Sequence, residues 1–185
     1  MTNTSQAITH TPILPALRWR QQALYFWSAA FVAGNLALPQ LCHVATNSPQ
    51  GGRVFLPIYL FTLLGAVSFG WRAGLLAALA SPLLNSLLFG MPSVEALPVI
   101  VVKSVLIAAL APVLLARVRF LPFAIAAIIV GYQALGGIFE WAWTGSLDRA
   151  LGDVRVGWPG MCAQFIVAWA VLALAGGLSH SRDNA

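Results

Sequence analysis

The sequence predicts an all-α integral membrane protein, a bundle of six transmembrane helices with both termini in the cytoplasm. Three observations lead there. Of 185 residues only 8% are charged and 59% are apolar, with a mean hydropathy of +0.83, whereas a soluble domain carries roughly a quarter charged residues. The sparse charges are spaced so that six stretches long enough to cross a bilayer as helices, about 20 residues each, lie between them. The basic residues of the short connections also fall unevenly, as the positive-inside rule requires.

The first span runs from Ala23 to Leu41, after Arg18 and Arg20, and ends at Pro39 and the polar segment from Cys42 to Gly52. Its apolar core is longer than that of a cleaved signal peptide and no A-x-A site follows it. The residue before Cys42 is Leu41, not the small residue of a lipoprotein signal. The second span, Phe55 to Phe69, is short for a full crossing and is separated from the third, Ala73 to Phe89, only by Gly70-Trp71-Arg72, which predicts a tight helical hairpin. The fourth runs from Leu97 to Ala116 with Lys103 inside it, the fifth from Leu121 to Trp143, and the sixth from Trp158 to Leu178.

With the N-terminus inside, Arg18, Arg20, Arg72, Arg117, Arg119 and Arg182 are cytoplasmic, and only Arg53, Arg149 and Arg155 lie outside. The domain plan is one membrane domain, residues 21–180, between cytoplasmic tails at residues 1–20 and 181–185. The basic residues form no run, so nucleic acid is not an expected partner; the lipid bilayer is. Cys42 and Cys162 show neither metal-site nor redox spacing. A disulfide between them stays open, because both fall near the same membrane face.

Polar side chains in lipid are costly and mark either function or interhelical contact. Asn35, Asn85, Lys103, Glu140 and Gln164 fall within roughly 10 Å of the outer surface at 1.5 Å per helical residue, while the inner half is almost purely aliphatic. That asymmetry predicts a pocket opening outward. Lys103 and Glu140 are either ligand contacts or a structural ion pair, and Asn85 and Gln164 either ligand contacts or interhelical contacts; for Lys103 and Glu140 ligand contact is the reading adopted. Asn35 and the deeper Gln133 are read as interhelical contacts. Trp141, Trp143 and Trp158 lie near the outer interface, where belt anchoring explains Trp143. Trp158 sits in Gly157-Trp158-Pro159-Gly160, a setting that fixes a large ring in place. The predicted substrate site is therefore Asn85, Lys103, Glu140, Trp141, Trp158 and Gln164, with His43 as the histidine on the outward side. HExxH, GxSxG, paired metal-holding acids and glycine-rich phosphate loops are all absent, so no catalytic residue, metal ligand or cofactor is expected. On the first span Ala29, Ala33 and Ala37 recur every four residues, a small-residue stripe that admits a close helix partner.

The central segment, Leu56-Pro57-Ile58-Tyr59-Leu60-Phe61, Phe69-Gly70-Trp71-Arg72-Ala73-Gly74 and Ser81-Pro82-Leu83-Leu84-Asn85 to Gly90-Met91-Pro92, resembles the S components of energy-coupling factor (ECF) transporters, small membrane subunits that capture vitamins. The likeness continues through Lys103-Ser104, Tyr132-Gln133, Glu140-Trp141 and Gly157-Trp158-Pro159-Gly160-Met161 to Gln164, and rests on the order and spacing of short motifs. It implies a six-helix bundle in the bacterial cytoplasmic membrane, a vitamin-like small-molecule substrate, and docking of the alanine stripe, at Ala29 and Ala33, on a transmembrane coupling subunit. It also implies a lid around His43 to Arg53 hinged at Gly51-Gly52, and toppling of the subunit driven by two separate ATPase subunits. Two other readings compete: a membrane scaffold or assembly protein whose intramembrane polar residues are structural, and an intramembrane enzyme using Glu140 and Lys103 as acid and base with His43 assisting. The scaffold is the stronger rival, since no nucleophile or metal motif accompanies the enzyme reading.

Overall fold

The computed structural model of the protein describes residues 21–46 and 56–183, with side chains for 24–45 and 56–174. The expected N-terminal tail, the Gly51-Gly52 hinge and Arg53 lie outside the described residues. Six helices follow in order: α1 Gln21–Thr46, then a 3₁₀ turn Pro57–Tyr59 leading into α2 Leu60–Phe69, α3 Trp71–Phe89, α4 Leu97–Arg117, α5 Leu121–Thr144 and α6 Leu147–Asp183. Among the described residues there is no strand.

Local chemistry sets the boundaries. Pro98 and Pro122 occupy the first turns of α4 and α5, where a missing N–H leaves no intrahelical bond unmade and the ring pre-sets φ. Gly70 joins α2 to α3 as a single residue at φ 84, a left-handed conformation that only glycine adopts without penalty. Gly145, at φ 67, closes α5 by donating its N–H to the Trp141 carbonyl.

Helices α3, α4, α5 and α6 as far as Leu174 are long and apolar enough to cross a membrane, and the architecture is that of an all-α membrane protein. Large apolar side chains cover the outside of the bundle, Leu87, Phe123, Val130, Ile138 and Leu174 among them, an arrangement suited to lipid rather than water. The expected third, fourth and fifth spans match α3, α4 and α5 within two residues at each end. The others differ. Helix α1 continues through Pro39, Cys42 and His43 to Thr46. The second expected span is in part the 3₁₀ turn, and α2 itself has 10 residues, about 15 Å at 1.5 Å per residue, roughly half a hydrocarbon core.

The sixth helix departs most from expectation, because it begins at Leu147 rather than Trp158. The stretch read as an outer connection is helical. Leu147, Ala150, Leu151 and Val154 stand at i, i+3, i+4 and i+7, the spacing of an amphipathic helix, and all four face one groove beside α5. Arg155 pairs with Asp148 at 2.8 Å on the exposed side.

The chain alternates direction through the bundle. Helix α2 is central: Thr62 to Ser68 are all buried, and it packs against α1, α3, α4 and α6. Close approach to its neighbours comes from small residues, with Ala66 on Gly74 of α3 and the Phe61 ring on Gly34 of α1. Asn35, fully buried, ties three helices together. Its Nδ2 donates to Thr62 Oγ1 (3.0 Å) and Ser81 Oγ (3.1 Å), and its Oδ1 accepts the Phe61 N–H (3.2 Å). It is the interhelical contact that its position predicted. Leu63, Ile107, Ile125 and Ile128 form the aliphatic centre. At the end where α1 begins and α2 finishes, Trp27 stacks on Phe69 with centroids 5.2 Å apart, and Phe31 lies 5.2 Å from Phe69.

Candidate binding site at one end of the bundle

At the opposite end the helices diverge around a cavity of about 560 Å³. Every helix except α2 reaches it: Gln40 and His43 from α1, Asn85 from α3, Val99 and Ile100 from α4, Glu140 and Thr144 from α5, Arg149 and Asp153 from α6, with Leu56 and the 3₁₀ turn Pro57–Tyr59 standing in front of α2. The loop after α3 adds Met91, Pro92 and Glu95. The volume lies within the range of small-molecule sites, about 300–1,000 Å³, and the mainly apolar wall with a few convergent polar groups is their usual make-up.

Its floor is an ion triad. Lys103 has no exposed surface, and its Nζ lies 2.8 Å from Glu140 Oε2 and 2.6 Å from Asp153 Oδ2. Burying an ammonium is prohibitive unless it is paired and hydrogen-bonded, and the two carboxylates supply that. The lysine stem runs across Gly136 of α5, where a Cβ would overlap Lys103 Cγ. The glycine makes room for the lysine. Glu140 and Asp153 keep 14% and 17% of their side-chain surface exposed and line the cavity, so the carboxylates lie between the ammonium and the open space. Asp153 escapes the sequence reading because its segment passes for a loop.

Of the predicted site residues, the structure brings His43, Asn85 and Glu140 together at the cavity wall, with Lys103 directly behind Glu140. Asn85 is almost completely buried, and its Oδ1 accepts a hydrogen bond from Gln40 Nε2 at 3.3 Å. Gln164 is placed otherwise. It is buried deeper, its Oε1 accepting from Tyr132 Oη (2.9 Å) and its Nε2 donating to the Leu56 carbonyl (3.2 Å). Leu56 is held at φ 45, a conformation non-glycine residues rarely adopt, so Gln164 helps shape the cavity wall from behind. Trp141 and Trp158 are 51% and 60% exposed and do not line the cavity. On α6 the buried face is Gly157, Gly160, Gln164 and Ala168, and Trp158 points away from it. Trp141 borders a separate, smaller apolar groove between α5 and α6 together with Gln133, whose Nε2 donates to Met161 Sδ at 3.3 Å.

Cys42 and Cys162 are not joined by a disulfide. Ala29, Ala33 and Ala37 are exposed along one side of α1. Among the described residues no set of His, Cys, Asp or Glu side chains is grouped as metal ligands would be. No protein-family model matches the chain, and no curated protein or solved structure shows significant similarity to it.

Proposed function

We propose that the chain is the substrate-capturing S component of an ECF-type importer in the bacterial cytoplasmic membrane. In this reading all six helices belong to the membrane domain, both termini are cytoplasmic, and the cavity opens outward to take up a vitamin-like molecule. The chain then works with a transmembrane coupling subunit docked on the exposed Ala29 and Ala33 and with two ATPase subunits, itself hydrolysing nothing. The observation that carries the reading is the cavity at one end of an apolar bundle, lined by five of the six helices and floored by a buried lysine with two carboxylates. Intramembrane charge facing a cavity is the usual mark of a substrate site.

Native mass spectrometry of the full chain purified in mild detergent, followed by identification of any molecule released on denaturation, tests this. A stoichiometric small molecule, lost in Asn85→Leu while the protein still folds, supports capture. The scaffold reading draws on the same triad, since Lys103 is neutralised without any ligand. An empty protein whose unfolding temperature no vitamin raises favours it.

A further inference from the structure

The capture reading leaves the substrate open, but the charges around the cavity narrow it. Among the described residues three carboxylates line the space, those of Glu95, Glu140 and Asp153, against one arginine, Arg149; Lys103 lies behind the floor and has no exposed surface. Counting Lys103, the set carries one negative charge in excess. The excess sits at the floor, where one ammonium faces two carboxylates, each using one oxygen on Lys103. Glu140 Oε1 and Asp153 Oδ1 have no hydrogen-bond partner among the described residues.

An anionic ligand would meet these oxygens and could reach Lys103 only by displacing a carboxylate. A second observation also points to a ligand. Asn85, 98% buried by its 2% exposure, lines the same space, and its Nδ2 has no partner among the described residues. The walls between, Pro57, Ile58, Tyr59 and Val99, are apolar or aromatic and suit a ring.

Resting on the capture reading, we infer that the substrate is a cationic, ring-bearing nitrogen compound whose N–H or N⁺ group is held by Glu140 and Asp153, with a hydrogen-bond acceptor against Asn85. Such a ligand balances the floor's excess charge and makes charge-assisted hydrogen bonds in a poorly solvated site. A carboxylate-bearing vitamin does the reverse.

Thermal-shift and calorimetric titrations of the full chain in nanodiscs test this with three probe sets: ring-bearing cations (thiamine, 1-methylnicotinamide, histamine), carboxylates (biotin, nicotinate, pantothenate) and neutral compounds (pyridoxine, riboflavin, nicotinamide). The expected result is saturable binding confined to the cations, weakened about tenfold or more by Asp153→Asn or Glu140→Gln. Asp148→Asn, changed on an exposed residue outside the cavity, should leave it unchanged and shows that the protein tolerates loss of a carboxylate. Tight binding of a carboxylate or neutral probe and no cation overturns the charge assignment and leaves capture standing. A folded protein that answers to none of the probes overturns both.

Discussion

Lys103 and Asp153, fifty residues apart on α4 and α6, meet at 2.6 Å beneath the cavity, the shorter of the two ion pairs the lysine makes. The pair links the beginning of α6 to the middle of the bundle and makes that helical extension part of the site. Removing Lys103 strands two partly buried carboxylates. Lys103→Met should therefore lower stability by about 3–5 kcal/mol, seen as reduced resistance to denaturant in detergent. The triple change Lys103→Met, Glu140→Gln, Asp153→Asn should recover most of that loss, and a triple variant as weak as the single one would show that the charges are not what is missing.

Gly136 is matched to the lysine stem. A methyl group there overlaps Lys103 Cγ, so Gly136→Ala should cost about 1–3 kcal/mol through overpacking and shift the ammonium off its carboxylates. Gly131, on the same helix, faces only the tip of Leu110 at 3.1 Å, and Gly131→Ala should be nearly neutral. Equal effects at both positions would point to helix propensity instead of the fit.

Asn35 makes three hydrogen bonds with no exposure to solvent. Asn35→Leu removes them and leaves the hydroxyls of Thr62 and Ser81 and the N–H of Phe61 unmatched, which should cost about 3 kcal/mol or more at roughly 1–3 kcal/mol for each of the three polar groups orphaned. Asn35→Leu combined with Thr62→Val and Ser81→Ala should be less harmful than the single change. Unfolding titrations of the set decide between these outcomes.

Trp158 is exposed on the far side of α6 from the cavity. Trp158→Ala should leave the affinity for a captured ligand within about threefold, whereas Asn85→Leu should reduce it by about tenfold or more. Calorimetry with the molecule identified by mass spectrometry separates the two.

If the alanine stripe of α1 receives a coupling subunit, Ala29→Leu with Ala33→Leu should abolish uptake into cells while ligand binding by the purified chain is unchanged. Both residues are exposed, so the substitutions place no bulk in the core. Uptake at the normal rate would place the docking surface elsewhere.

Much of the fold is legible because bilayer-length apolar runs and Gly and Pro punctuation speak plainly. Three helices fall where the sequence puts them, and the polar layer at one end is real, with Asn85, Lys103, Glu140 and Gln164 all buried or half-buried there. The roles within that layer are less accessible. Depth groups Gln164 with the ligand contacts, yet its amide serves Tyr132 and a backbone carbonyl 108 positions earlier in the chain. Depth along a helix says nothing of rotation about its axis, and that rotation separates Gln164 from Trp158. Asp153 is hidden for a different reason. Arg149, Asp153, Arg155 and Gly157 make the segment look like a connection, while the apolar spacing at 147, 150, 151 and 154 that identifies the helix is carried in part by an alanine.

The stacked rings of Trp27, Phe31 and Phe69 and the aliphatic centre above them give the bundle the topology of a cup rather than a tube. Among the described residues water and ions have no continuous column to follow, so the resting bundle should hold a membrane potential without a gate. If the cavity takes up cargo, that cargo has no axial exit among the described residues except through a close-packed core, which would have to come apart at a cost comparable to unfolding. On the capture reading, delivery to the far side would tip the vessel, not open its base.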